Sequence, residues 1–244
     1  MAIPSKQIGG SVNYNLLWQI SKQLERLIEV RSNVSTITTT TTLNPNVTIG
    51  TQIWTNKNLD VTTYRDGTPI PEVTDPTAWK NLKTGAWCYY DNDPSNGSIY
   101  GKLYNWYAVA GIYDVASFND PLLRKQLAPL DYHVPSDTEW TTLTTFLGGE
   151  EIAGGAMKEI GTTHWLSPNE GATNSSGFTA LPGGMLYSAN TYPYTGINYN
   201  GIFWTSTEEY GTLGYNRMLF KSSISVSRSV YSKEDGFSVR VIKD

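Results

Sequence analysis

The 244 residues are 39% hydrophobic, enough to bury one good-sized core and a small appendage, which excludes a disordered chain. Eighteen basic against twenty-two acidic residues leave a net charge of −4, so there is no field to gather phosphate backbones or anionic membranes, and nucleic acid is not an expected partner. The single Cys88 cannot close an intrachain disulfide, and no Cys/His cluster has zinc-ligand spacing, so the fold is expected to stand on packing alone, without metal or cofactor.

The first residues lack a basic start followed by an apolar run, and no segment reaches membrane-spanning length. The chain is therefore expected to stay where it is made, with no membrane insertion, and to leave only inside an assembly. Between Tyr14 and Val30, Leu17, Ile20, Leu24 and Leu27 fall at spacings of three, four and three, the a/d seam of a coiled coil. Leu at a with Ile at one d position favours three strands, so residues 1–33 are expected to form an oligomerising helix, most simply of a homotrimer. An amphipathic helix docked on a partner or on its own domain is the alternative. Residues 34–50 hold five consecutive threonines and an Asn-Pro, and read as an extended linker. Residues 51–244 make the main domain.

Within it, "TDPTAWKNLKTG" predicts a short helix capped by Asp75, opened by Pro76 and closed by Gly85. "DNDPSNG" places Asp91, Asp93 and Ser95 like the start of a calcium loop, but Asn96 and Lys102 stand where that loop needs Gly and Glu. It reads as a turn leading into a helix over "YGKLYNWYAV", with Leu103, Trp106, Tyr107 and Ala110 at helical spacing facing the core. "PSDTEWTTLTTFLGG" predicts a helix with a Ser136/Glu139 capping box, a face of Trp140, Leu143 and Leu147, and a stop at Gly148. The last third alternates, placing Ile224, Val226 and Val230 on one face and Phe237, Val239 and Val241 on the inner face of another strand. Helices first and antiparallel strands last predict an α+β fold.

The motifs "YRDGTPIP", "TGAWCYYDND", "YGKLYNWYAV", "HVPSDTEWTTL", "GATNSSGFTALPGG" and "GFSVRVIKD", in this order from about Ile53 to Lys243, resemble the Fibrobacter succinogenes major paralogous domain, a family widespread in Bacteroidetes. The resemblance implies a C-type-lectin-like fold related to the formylglycine-generating enzymes: a twisted antiparallel sheet, two main helices and long loops. The enzyme branch uses cysteines near its C-terminus, where this chain has none, so no enzyme activity is expected and Cys88 reads as a small core residue. His133 and His164 are given structural roles. Sugar-binding relatives use an acidic-Pro-Asn loop; Ser167-Pro168-Asn169 lacks the carboxylate, so calcium-dependent sugar binding is not carried over.

From Tyr187 to Asn216 there are six of the sixteen tyrosines, four Asn, four Gly, two Ser and no Lys or Arg, the composition of an antibody paratope. Phe203 and Trp204 read as core. Tyr192, Tyr194, Asn198, Tyr199 and Asn200, with Tyr210 and Tyr215, are the expected ligand contacts, in a stretch without a helical or strand period. The whole reads as a bacteriophage virion fibre or decoration protein, joined to other virion proteins through its helix and displaying a binding face to a surface glycan or protein of a Bacteroidetes host. The alternatives are a cellular surface adhesin and, at greater remove, an enzyme of the formylglycine-generating type.

Overall fold

The computed structural model describes residues 16–25 and 46–244. The chain divides into two compact units between Leu43 and Asn44. In the first, residues 16–25 are the helix α1. Three of the four expected seam residues, Leu17, Ile20 and Leu24, are 61%, 45% and 55% exposed. Leu27 and most of the expected linker lie outside the described residues.

The second unit is mixed α+β, and it begins before the expected boundary: Asn46–Ile49, assigned to the linker, is strand β1, which hairpins onto β2 (Gln52–Thr55). The hairpin joins the two ends of the domain, because β2 pairs with β12 (Ile242–Lys243), which in turn pairs with β5 (Tyr132–His133), all antiparallel. The larger sheet runs β10 (Val226–Ser232), β9 (Leu213–Phe220), β8 (Asn200–Glu208), β6 (Gly183–Leu186), β11 (Gly236–Phe237), β4 (Leu103–Asn105) and β3 (Trp87–Cys88), with β7 (Tyr194–Ile197) also on β6. Among the described strand pairs only β6–β8 is parallel, through Gly184 and Gly201. Both glycines are required by close approach. A Cβ on Gly184, whose φ is +66°, would stand 2.6 Å from the Ile197 nitrogen, and one on Gly201 2.8 Å from the Leu181 oxygen.

Helices α6 (Asp137–Phe146) and α7 (Glu150–Met157) pack against each other and contribute Trp140, Leu143, Ala153 and Met157 to the main core, where they meet Trp54, Trp165, Phe178, Phe203 and Leu219. The α6 start matches its sequence signal: Ser136 and Glu139 form the reciprocal capping box, and Gly148 follows with φ +100°. Helix α2 (Pro76–Lys80) is capped by Asp75 as expected, but ends at Asn81, well before Gly85, because the Asn81 amide already closes on the carbonyls of Ala78 and Trp79.

The region from Asp91 to Ala110 reverses its expected layout. The expected turn is helical, with α3 (Pro94–Tyr100) capped by Asp93 and opened by Pro94. The expected helix begins as strand β4, and only Trp106–Val109 forms a helical turn, α4. Leu103, Trp106 and Tyr107 are buried as predicted, whereas Ala110 is half-buried. The short helix α5 (Val115–Asn119) follows. On β10, Val226 is buried, but Ile224 precedes the strand and Val230 is 36% exposed, because β10 is the sheet's edge strand. Phe237, Val239 and Val241 are buried as expected.

One side chain fastens the end of β2 to the central loops. Arg240 is fully buried, and its guanidinium donates to Asn58 Oδ1 (2.7 Å), the Thr55 carbonyl (2.8 Å), the Phe178 carbonyl (2.7 Å) and the Thr179 carbonyl (2.8 Å). It also lies 4.5 Å from the centroid of the Phe178 ring. Removing it orphans four acceptors, three of them buried, so Arg240→Leu is expected to cost about 4 kcal/mol. Urea unfolding of the variant checks this; a loss below about 1 kcal/mol would show that the carbonyls find other partners.

Candidate binding groove

The groove is assembled at one end of the larger sheet. Strands β6 and β8 are parallel, so the loop after β6 (residues 187–193) and the loop after β8 (residues 209–212) emerge from the same end. The turn between β10 and β11 joins them there, because Ser232 of β10 pairs with Leu213 of β9. The β6–β7 loop, the end of β10 and the β10–β11 turn line an open groove of about 660 Å³ through Tyr187, Ser188, Tyr231, Ser232 and Asp235, with Leu213 of β9 and Lys80 of α2 at its sides. That is the volume of a small-ligand site.

Consecutive residues of the β10–β11 turn each hold a different element. The Lys233 amine donates to the Gly211 carbonyl at 2.6 Å and pairs with Glu208, fixing the β8–β9 loop. Glu234 takes a hydrogen bond from Tyr107 Oη (3.0 Å) and pairs with Lys83, while its carbonyl accepts Trp79 Nε1 at 2.6 Å. Burial works against its charge, but the bonds from Lys83, Ser232 and Tyr107 prevail and hold its pKa below the usual value.

Asp235 holds the β6–β7 loop. Its Oδ1 accepts both the backbone N–H and the hydroxyl of Ser188, each at 2.8 Å. The residue is fully buried, and its Oδ2 has no hydrogen-bond partner. Burial outweighs the Ser188 bonds and pushes the carboxyl up to about 6. Because the folded pKa lies above the unfolded one, the group's contribution to stability is fully present below about pH 4 and is lost as the pH rises through 6. Two rings stand beside it: Tyr187 and Tyr231 meet edge to face at 6.4 Å, and Tyr231 is backed by Phe237 at 5.3 Å.

The expected contact residues do not form one face. Tyr192 (89% exposed) and Tyr210 (77%) stand on the two loops at the groove end. Tyr199 is exposed at the opposite end of β7, about 13 Å away by the length of that strand. Tyr194 is half-buried: its ring packs 5.4 Å from Tyr90, and its hydroxyl donates to Asn92 Oδ1 at 2.7 Å. Asn198 takes the left-handed turn position (φ +66°) and accepts Tyr100 Oη at 2.7 Å. Asn200 opens β8 in register with Phe220, and Tyr215 lies under the Arg228 guanidinium at 3.9 Å. The stretch expected to lack a strand period thus contains β7 and the start of β8. Sequence reasoning missed Tyr231 and Asp235, and left Tyr187 off the contact set although it opens the tyrosine-rich window.

The other singled-out residues lie away from the groove. Cys88 is buried in a second core cluster with Trp79, Ala86, Tyr90, Leu103 and Leu186, and burial pushes its thiol up to about 12, so it carries no thiolate at neutral pH. His133 bridges Glu139 (2.8 Å) and Asp244 (2.6 Å); burial opposes its charge, but the two carboxylates prevail and raise its pKa. His164 pairs with Glu159 at 2.9 Å in a separate cleft of about 470 Å³ beside Asn58 and Gly101. Asp93 is spent on capping α3, and among the described residues no group of three or more His, Cys, Asp or Glu could hold a metal ion. Among the same residues no helix is long and apolar enough to cross a membrane.

Residues 47–243 match the family described as the Fibrobacter succinogenes major domain. No curated protein and no solved structure matches the chain.

The tyrosines separate by cost. Tyr192→Ser and Tyr199→Ser are expected to leave the melting temperature within about 1 °C, whereas Tyr194→Ser, which empties a ring contact and orphans Asn92, should cost about 2–3 kcal/mol. Thermal melts of the three variants decide it. A Tyr194 variant as stable as the parent would return that residue to the free surface.

Proposed function

The chain belongs to the Fibrobacter succinogenes major domain family, and on that premise we propose that it is a bacteriophage virion fibre protein that displays a C-type-lectin-like domain to a Bacteroidetes host. The helix gathers three copies and joins them to other virion proteins, the threonine-rich stretch spaces them, and the domain binds a host surface glycan or protein. The reading is a non-enzymatic one, and it places the protein in the virion.

The observation that carries it is the pairing of two units with unlike surfaces. Leu17, Ile20 and Leu24 stand exposed along one stripe of α1, an apolar seam that a single copy leaves in water. The domain, meanwhile, has its own core and carries a groove flanked by loops bearing Tyr192 and Tyr210. A seam for self-association and a separate tyrosine-rimmed groove are the two ends of a display device. The lectin-like part of the reading is supported by the meeting of the domain's first and last strands in one sheet, by the α6–α7 pair and by the long loops between short strands.

Two heptads bury little by themselves, and isolated helices of that length are marginal, while the domain core does not use them. The full chain should therefore sediment as a trimer and a chain lacking residues 1–33 as a folded monomer. Mass spectrometry of purified virions should find the full chain in the particle. A truncated chain that stays trimeric would move the association to the domain, and particles without the protein would sink the virion reading.

A further inference from the structure

We infer that the cleft walled by α3, residues 56–60 and the loop of residues 159–164 binds a neutral sugar, one hydroxyl of which donates to Nε2 of His164. The cleft shares no residue with the groove, and the inference does not rest on the virion reading.

His164 is held as a recognition group needs to be. Its Nδ1 lies 3.0 and 2.9 Å from the two carboxylate oxygens of Glu159, so Nδ1 carries the proton and Nε2 of the neutral ring is an acceptor. Nε2 makes no hydrogen bond among the described residues and is not one of their buried unpartnered atoms, so it is open to the cleft that the ring lines. The ring meets Tyr100 edge on at 5.8 Å, and Tyr100 Oη is itself fixed on Asn198 Oδ1 at 2.7 Å. The loop is anchored in turn, because the carbonyls of Glu159 and Gly161 accept the side-chain amide of Asn169 at 2.8 and 2.7 Å. A supporting shell thus fixes where the free lone pair stands.

The charges around it cancel. Asp60 is paired with the buried Lys102 and Glu159 with His164, which leaves Lys57 as a lining cation without an ion pair among the described residues. Two carboxylates against two ammonium groups favour neither an anion nor a cation. What the lining offers is an acceptor at His164 Nε2, donors on the Lys57 ammonium, and the Ser98 hydroxyl, which donates to the Ser95 carbonyl and keeps its own lone pairs. Beside them stand the apolar side chains of Leu181 and of Ile99, which is 44% exposed. A sugar ring matches that mixture, with hydroxyls around its edge and C–H bonds on its face, and about 470 Å³ is a small-ligand volume.

The test uses the full chain, isotopically labelled so that NMR reads the imidazole nitrogens; the sequence has two histidines, so His133 is an internal reference. Methyl glycosides of glucose, galactose and mannose are the neutral probes, with glucuronate and glucosamine as anionic and cationic comparators. At least one neutral glycoside should move the His164 Nε2 signal saturably, with a Kd on the order of 1 mM, and leave His133 unmoved. His164→Phe keeps a ring against Tyr100 but removes the acceptor, and should bind at least about tenfold more weakly. Ile99→Arg, at an exposed position that leaves the His164–Glu159 pair intact, should also lose about tenfold while melting within about 2 °C of the parent, which separates loss of the site from loss of the fold.

A His164→Phe chain that binds as tightly as the parent would overturn the inference, as would a response confined to glucuronate or glucosamine, or one that moves both histidines alike. No response to any neutral glycoside would overturn it as well, and would leave the virion reading untouched.

Discussion

The domain depends on a buried positive charge that has no negative partner among the described residues. Arg240 sits in the core and is held by one side-chain amide oxygen and three backbone carbonyls from segments more than sixty residues apart in the chain. Burial draws its pKa down to about 9, which still leaves it cationic at neutral pH. A buried cation is tolerable only when every donor finds an acceptor. That requirement fixes where β2 ends and where the loop carrying Phe178 and Thr179 must run. Lys158 repeats the device, its buried amine donating to the carbonyls of Glu170 (2.8 Å), Phe220 (3.0 Å) and Ser223 (2.8 Å). Long irregular stretches are thus tied down by cations that neutralise carbonyls where no strand ladder does so.

The same C-terminal strap builds the groove. Residues 233–242 are buried throughout. Lys233, Glu234 and Asp235 fasten, in order, the β8–β9 loop, the α2 and α4 side, and the β6–β7 loop; Phe237 then backs Tyr231, and Arg240 locks the end into the core. The strap cannot shift at one point without disturbing the others. The buried strap carries the scaffold, while Tyr192 and Tyr210 on the flanking loops stay exposed.

The parts legible in the sequence were those governed by local chemistry. The Ser136/Glu139 box, the Asp75 and Pro76 start, and the family motifs all rest on residues within a few positions of one another. Strand β4 was misread because all three of its residues are buried, which erases the alternation that identifies a strand, and Leu103, Trp106 and Tyr107 fit a helical period equally well. Strand β7 was hidden by Gly196, a residue depleted in strands that sits within it at φ +81°. The groove was half legible. The tyrosine-rich window marks its two outer loops, but Asp235 lies in the charged run "KED", where solvent exposure is the ordinary expectation, and only tertiary contacts reveal that it is buried and half-satisfied.

The central claim is that the strap is locked by charged groups buried beneath the loops, Asp235 among them. Its most direct measurement is the titration of the Asp235 carboxyl carbon by NMR. The account predicts a midpoint of about 6, because burial outweighs the bonds from Ser188. A midpoint near the ordinary aspartate value would contradict it, since it would place the carboxyl in water.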